Sequence, residues 1–380
     1  MRSPYRRAAY YDSLRFDPSR DNLLSQRNEK LHTELKAKMA PGYSGKEVEA
    51  LEPAINNNIA RMVGLIERKY LSAGNDFSPL DFARISQYFT LDVISDVAFS
   101  KPFGYLTEDG DVHEYIKMTE ESMPVILVLS VMPWLALVLQ SWLFKNLLPS
   151  EKDKFGFGKF IGVAKEVVAE RFGPNKKVHK DMLGSFVAHG LTQEEAASET
   201  LLQVIAGSDT TATAIRATML HLICNPLAYA ALQFEIDEAI LQGKISSPIS
   251  DAQGRNLPYL QAVIKEGLRI FPPVTGLMLK EVPKGGDALN GFFVPGGSEI
   301  GYCALGLQRS KQTYGDDADL FRPERWLEAE PEKLKEMNAT VNLVFVYGKW
   351  ECPGKSVAAI ELNKIFVEAS THAFMTLIPS

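Results

Sequence analysis

Apolar positions recur at helical spacing over most of the chain. In "EKLHTELKAKMAP" Leu31, Leu35 and Met39 stand four apart, which predicts a helix that Pro41 ends. "FARISQYFTLDVISDVAFS" and "GKFIGVAKEVVAERFG" predict two more amphipathic helices, and the polar connector "PNKKVHKD" follows the second. The longest helical pattern is "LTQEEAASETLLQVIAGSDTTATAIRATMLHLICNP". It opens with Thr192 and, three places on, Glu195, the spacing of a reciprocal capping box, and Pro226 closes it. Two further helices follow in "LAYAALQFEIDEAILQG" and "LPYLQAVIKEGLRIFPP". The texture then changes: "GLMLKEV" and "GFFVPGGSEIGYCALGL", with the Gly and Pro around them, predict short strands and turns. A last helix starting near Cys352 keeps Ala358, Leu362, Ile365 and Ala369 on one face. The pattern is mainly α with a small β portion late in the chain, without internal repeats or low-complexity tracts.

One run departs from amphipathic patterning. "MPVILVLSVMPWLALVL", from Met123 to Leu139, falls short of the roughly 20 apolar residues a spanning helix needs, and Pro124 and Pro133 divide it. It predicts two short buried helices; the functional reading is a flap that meets a membrane surface or lines an apolar channel. At the N-terminus Arg2, Arg6 and Arg7 precede no apolar segment, so neither a cleavable signal nor an anchor is predicted, and residues 1–16 are expected to be irregular.

Composition narrows the function classes. A chain of 380 residues that is 46% hydrophobic and 23% charged is an ordinary globular protein; length alone suggests two or three domains, though one large domain over 1–380 also occurs at this size. Its 41 basic and 47 acidic residues leave a net charge of −6, with no basic block long enough for a nucleic-acid track. Cys224, Cys303 and Cys352 are too few and too scattered for a disulfide framework and fit a reducing, cytosol-facing setting.

Three constellations carry chemistry. In "FVYGKWECPGKSVAAIEL", Gly348 permits a tight turn, and Cys352 then stands at a helix start with Pro353 in the first turn. The positive helix end favours thiolate, and Gly354 lets something large and flat approach; such a sulfur is a nucleophile, a metal ligand, or simply a small buried hydrophobe. In "AGSDTTAT", Ala206–Thr213, a glycine and five polar or β-branched residues interrupt an apolar helix; Gly207 alone costs about 1 kcal/mol relative to alanine. Asp209 and Thr210 there form an acid–alcohol pair able to relay protons, against the plainer reading of a kink with satisfied hydroxyls. In "KEGLRIFPP", Glu266 and Arg269 lie three apart on one helix face, and Arg325 of "FRPERWL" can complete a buried triad, more plausibly a folding clamp than a catalytic site.

Together and in this order, these motifs resemble the cytochrome P-450 superfamily of haem-thiolate monooxygenases. "AGSDT" resembles its oxygen-activation motif, Glu266 and Arg269 its E-x-x-R, "PERW" its partner-arginine motif, and Phe345, Gly348, Cys352 and Gly354 its F-x-x-G-x-x-x-C-x-G loop. The resemblance covers the chain from about Asp17 onwards, and "FRPERWL", "YGKWECPGKSVA" and "KLHTELKAKMAPGYSG" look most like the filamentous-fungal branch that includes pisatin demethylase. It implies that Cys352 is the axial ligand of haem b (iron protoporphyrin IX), with Phe345 packed beside it. It further implies that Asp209 and Thr210 deliver protons to dioxygen, that Ala206 and Gly207 leave room for it, and that Glu266, Arg269 and Arg325 hold the haem-side core. The implied reaction inserts one oxygen atom into a small lipophilic substrate, with electrons from an NADPH-dependent reductase, at the cytosolic face of the endoplasmic reticulum membrane.

The sequence departs from the family pattern in three places. Many members carry arginine two residues before the cysteine, gripping a haem propionate; here it is Trp350. Lys349, Lys280, and His32 with Lys36, whose spacing matches the family's W-x-x-x-R, are the candidate substitutes. The membrane anchor and first elements that fungal members carry are missing at the start, and "EASTHAFMTLIPS" stops before the strands that close the pocket, so the fold is expected to be incomplete at both ends. Two other readings stay open: a haem-thiolate isomerase or dehydratase, which would not need Asp209 and Thr210, and a non-catalytic remnant.

Overall fold

The computed structural model describes residues 4–17, 20–73, 77–139, 141, 143–144, 149–153, 156–174 and 176–372. The stop after the last helix, residues 373–380, and Arg2 lie outside these.

In chain order the first elements are strand β1 (Arg6–Arg7), a 3-10 helix (Ala9–Leu14), α1 (Glu29–Tyr43), α2 (Leu51–Lys69), α3 (Phe82–Phe99) and α4 (Tyr105–Glu108). Next come α5 (Tyr115–Val131), α6 (Pro133–Leu139), α7 (Gly156–Ala169), α8 (Met182–Ala188) and the long α9 (Gln193–Ile223). They are followed by α10 (Pro226–Leu241), α11 (Asp251–Gly254) and α12 (Pro258–Ile270). Strands β2 (Lys280–Glu281), β3 (Asp287–Leu289), β4 (Phe292–Val294) and β5 (Glu299–Ile300) come late. The chain ends with α13 (Ala304–Gln308), α14 (Lys311–Tyr314), α15 (Arg325–Glu328), α16 (Pro331–Val341) and α17 (Lys355–His372). The described chain is therefore mainly helical with a small β portion.

Two compact units emerge. The first comprises residues 1–49, 111–205 and 276–302; the second comprises 50–110, 206–275 and 303–380. In the first, β1 pairs antiparallel with β2, and β2 with β5, with Arg7 opposite Lys280 and Lys280 opposite Ile300. β3 and β4 form a separate antiparallel hairpin. The segment expected to be irregular thus holds a strand and a 3-10 helix. Pairing of Arg6 and Arg7 with residues some 275 positions away leaves no local signature.

Local expectations meet the structure unevenly. The Thr192 capping box is formed: Thr192 N–H donates to Glu195 at 3.0 Å, and Glu195 N–H to Thr192 Oγ1 at 3.2 Å. Pro41 does not end α1, which runs on to Tyr43. So close to the C-terminus a proline forfeits only one intrahelical bond, and Ser44 N–H still reaches Ala40 O at 3.0 Å. The buried side of α1 carries His32 and Met39, whereas Leu31 is 49% exposed. The Met123–Leu139 run forms two helices as expected, but Pro124 sits inside α5 and only Pro133 marks a break. Nor is the pair wholly buried: Val125, Val128, Val131 and Trp134 are exposed. No helix among the described residues is long and apolar enough to cross a membrane. "GYCALGL" was expected as strand and turn; Ala304–Gln308 is helical instead, capped by Cys303, whose sulfur accepts from Gly306 N–H.

In the second unit, α3 is the most buried helix, and Asp92 on it fixes the start of α4 by accepting from the N–H groups of Gly104, Tyr105 and Leu106 at 2.7–3.0 Å. Such triple acceptance satisfies the orphan donors of a helix start.

Candidate functional site

The loop before α17 is tied by its own backbone. Val346 N–H donates to Leu343 O at 2.9 Å, Glu351 N–H to Gly348 O at 3.0 Å, and Cys352 N–H to Phe345 O at 2.8 Å. Gly348 makes its turn at φ +67, where an added Cβ would find open space, so backbone conformation selects glycine there. Cys352 is exposed and outside any disulfide. Pro353 and Gly354 form a turn, and regular helix begins only at Lys355, with Ala358 N–H donating to Gly354 O at 3.0 Å. The sulfur therefore stands three residues ahead of the helix. The Lys349 ammonium lies 4.3 Å from the Trp350 ring centroid, so this candidate for the missing arginine rests on its neighbour's indole. Lys355 similarly covers Phe345 at 5.5 Å and pairs with Glu351 at 3.2 Å.

On α9 the burial breaks where the residue types do. Residues 201–205 and 211–215 are buried, whereas Ala206 is exposed and Gly207, Asp209 and Thr210 are half-buried. The helix runs through without interruption. Thr210 Oγ1 donates to Ala206 O at 2.7 Å, a common way to satisfy a helical threonine. Gln87 Nε2 of α3 donates to Asp209 Oδ1 at 2.7 Å, orienting that carboxyl. A Cβ on Gly207 would lie 3.0 Å from the Ile94 side chain of α3, so a larger residue fits there only if that side chain shifts by a few tenths of an ångström.

Glu266, Arg269 and Arg325 come together and are essentially inaccessible. Arg269 meets Glu266 through two nitrogens at 2.8 and 2.9 Å, and Arg325 Nε donates to Glu266 Oε1 at 3.1 Å. Trp326 Nε1 and the Arg322 N–H complete the acceptance by Glu266, at 2.9 and 2.7 Å. The remaining guanidinium donors go to carbonyls of Gln308, Tyr314, Asp317, Ala318 and Leu320 and to the Asp317 carboxylate. With every charge hydrogen-bonded, burial is sustainable.

His32 and Lys36 lie one turn apart on α1, His32 buried and Lys36 half-buried, and Lys280 of β2 has its ammonium 5.3 Å from the Tyr11 ring centroid. These three belong to the first unit; the other candidate residues belong to the second. Gln87 and Trp326 escape sequence reasoning as site residues: Gln87 lies inside the apolar run "ISQYFTL", and Trp326 is read only as part of its motif.

The donor set fits haem. An exposed thiol on a backbone-braced loop is a donor of the kind that would hold such a group's iron, and the glycine two residues later adds no side chain where a flat ring would approach.

Comparison with known proteins agrees. The family model described as Cytochrome P450 matches residues 3–369. Relatives include the cytochrome P450 monooxygenase ABA1 of Pyricularia oryzae, 48% identical over 372 residues, which are 97% of this chain and 73% of that protein. The cytochrome P450 monooxygenase aba1 of Botryotinia fuckeliana is 41% identical over the same shares. The cytochrome P450 monooxygenase cicH of Emericella nidulans is 29% identical over 375 residues, 95% of this chain and 73% of the relative. With a match spanning nearly every residue, the chain belongs to the cytochrome P450 family, oxidoreductases that use dioxygen at a haem iron.

Proposed function

We propose that the chain is a fungal haem-thiolate monooxygenase of secondary metabolism that hydroxylates, or O-demethylates, a small lipophilic molecule, with electrons from an NADPH-dependent reductase. The observation that carries this is Cys352, an exposed thiol on a loop braced by Phe345 and Gly348. When bound, haem supplies an iron that activates dioxygen with two electrons: R–H + O2 + 2e− + 2H+ gives R–OH + H2O. Cys352 would supply the thiolate that holds that iron. Gln87 holds the Asp209 carboxyl in a fixed orientation at 2.7 Å, and Thr210, whose proton goes to Ala206 O, keeps its hydroxyl oxygen available as an acceptor. These two side chains bring in the protons that become water. Exposed Ala206 keeps that side of α9 open.

By resemblance, His32, Lys36, Lys280 and Lys349 are assigned to the haem carboxylates, and Glu266, Arg269 and Arg325 to holding the core. The exposed apolar residues of α5 and α6 support contact with a membrane surface, in keeping with a place at the cytosolic face of the endoplasmic reticulum. The wording of the "FRPERWL" and "YGKWECPGKSVA" stretches supports the branch that includes pisatin demethylase. A carbon monoxide difference spectrum of the reduced, purified chain tests the reading. A red-shifted thiolate band that disappears in Cys352→Ala is expected; absence of haem uptake by the unmutated chain would sink it.

A further inference from the structure

Two opposite charges bracket Cys352, Glu351 directly before it and Lys355 three residues after it. Their side chains meet across the turn at Pro353 and Gly354, with Lys355 Nζ 3.2 Å from Glu351 Oε1. The same ammonium lies 5.5 Å from the Phe345 ring centroid, and the Phe345 carbonyl receives the Cys352 N–H at 2.8 Å. One lysine therefore ties the residue that opens the loop to the helix that closes it.

Lys355 stands where helix electrostatics disfavour it. The first turn of a helix carries partial positive charge and prefers carboxylates. Helices α1, α2, α9 and α16 follow that rule with Glu29, Glu52, Glu194 and Glu332. Helix α17 has no acidic residue in its first turn and opens on Lys355. A local rule broken beside a site residue is expected where the site gains from the break. The gain here is a full positive charge added to the helix end, on a residue whose backbone is at most about 11 Å from that of Cys352.

We propose that Lys355 and Glu351 form a charge pair that positions Phe345 and sets the redox equilibrium of the iron that Cys352 would hold. This rests on the haem-thiolate reading. The positive charge of Lys355 favours the form of the iron with one more electron, and Glu351, on the adjacent residue, opposes it. Acting through Phe345 and the loop, both are positioning residues, not catalytic ones.

A redox titration of the full chain loaded with haem b reads the couple Fe(III) + e− → Fe(II), with dithionite as electron donor and no reductase present. Lys355→Met keeps an unbranched apolar side chain against the ring and removes the charge. At 37% and 45% side-chain exposure the pair is partly screened. The variant is therefore expected to shift the equilibrium toward ferric iron about 2- to 10-fold, about 20–60 mV for one electron. Glu351→Gln is expected to shift it by a similar factor toward ferrous iron, and the double variant to return near the unmutated value. Lys355→Arg, which keeps the charge, should leave it in place. A merely loosened loop would move both single variants the same way, so opposite signs separate a charge role from a structural one. Shifts of one sign, or none, overturn the proposal. If Lys355→Met takes up no haem, Glu351→Gln decides: a shift toward ferrous iron supports the proposal, and any other result overturns it. The carbon monoxide spectrum of the same samples keeps the two readings apart. A thiolate band with unshifted equilibria removes the proposal and leaves the enzyme, whereas no haem uptake by the unmutated chain removes both.

Discussion

Val346 has φ 62 and ψ −171, a backbone region that glycine enters freely and a β-branched residue does not. Holding it there costs on the order of 1–3 kcal/mol, and it stands next to Phe345, whose carbonyl receives the Cys352 N–H. Val346→Gly is expected to raise unfolding free energy by about 1 kcal/mol, once the entropy glycine loses on folding is subtracted, as read from urea midpoints. A lower midpoint would show that valine's packing outweighs the strain. Glu199 on α9 is a second residue whose environment opposes its usual state. Burial, with a smaller contribution from Glu195, pushes its carboxyl up to about 8, against the Leu23 N–H it accepts at 2.6 Å and the charge of buried Arg7. Between 4.5, its ordinary value, and 8 the folded protein keeps a proton that the unfolded chain releases, so stability falls as pH rises through that window. The group alone removes up to about 5 kcal/mol across it. Glu199→Gln, which cannot ionise, should flatten this slope and be the more stable form at pH 8.5 in urea titrations; parallel slopes for the two proteins would mean that Glu199 is already charged when folded.

At the level of elements, what the sequence reveals depends on whether an interaction has a local spacing. The three-residue interval from Glu266 to Arg269 is legible because a helix puts both on one face, and Arg325 is legible through its motif. The Arg322 N–H and the Trp326 indole also converge on Glu266, and nothing in local pattern announces that. Helix α2 is likewise invisible to periodicity: three consecutive asparagines, 56–58, interrupt its apolar stripe, yet Asn58 is fully buried because its amide donates to Ala54 O and Asp96. On α1 the spacing of Leu31, Leu35 and Met39 points to a face that is only partly the buried one, because tertiary packing chose His32 over Leu31. The shared acceptance by Glu266 makes a sharp expectation. Glu266→Ala strands two buried guanidiniums and an indole N–H, and breaking a buried pair from one side typically costs about 3–5 kcal/mol. The variant should therefore accumulate unfolded or aggregated at a temperature where Glu324→Ala, which removes only the acceptor of a Tyr259 hydroxyl, remains folded by circular dichroism. Comparable melting of the two would deny the network its structural role.

For the molecule as a whole, the mainly helical class and the order of the motifs follow from periodicity and spacing. What a surface does is less legible, because an apolar run looks the same in sequence whether it faces core or solvent. The Met123–Leu139 run resolves into α5, whose Met118, Met123 and Ile126 line a cleft, while Val125 (57%), Val128 (50%) and Val131 (64%) face outward with Trp134 (60%) of α6. Exposed apolar groups this close together are stabilised by a lipid surface, and each large side chain moved out of water contributes on the order of 1.5–3 kcal/mol when fully buried. Replacing Val128, Val131 and Trp134 by serine should therefore lower partitioning onto phosphatidylcholine vesicles by at least about tenfold in a sedimentation assay. General stickiness would produce the same loss from any exposed apolar residue, so α10 supplies the control: Leu227 and Phe234 are 84% and 69% exposed there. Leu227→Ser with Phe234→Ser should leave partitioning unchanged. If the α10 pair costs as much binding as the α5–α6 triple, the membrane reading of Met123–Leu139 fails, because the lipid would then be answering to exposed hydrocarbon in general and not to this face.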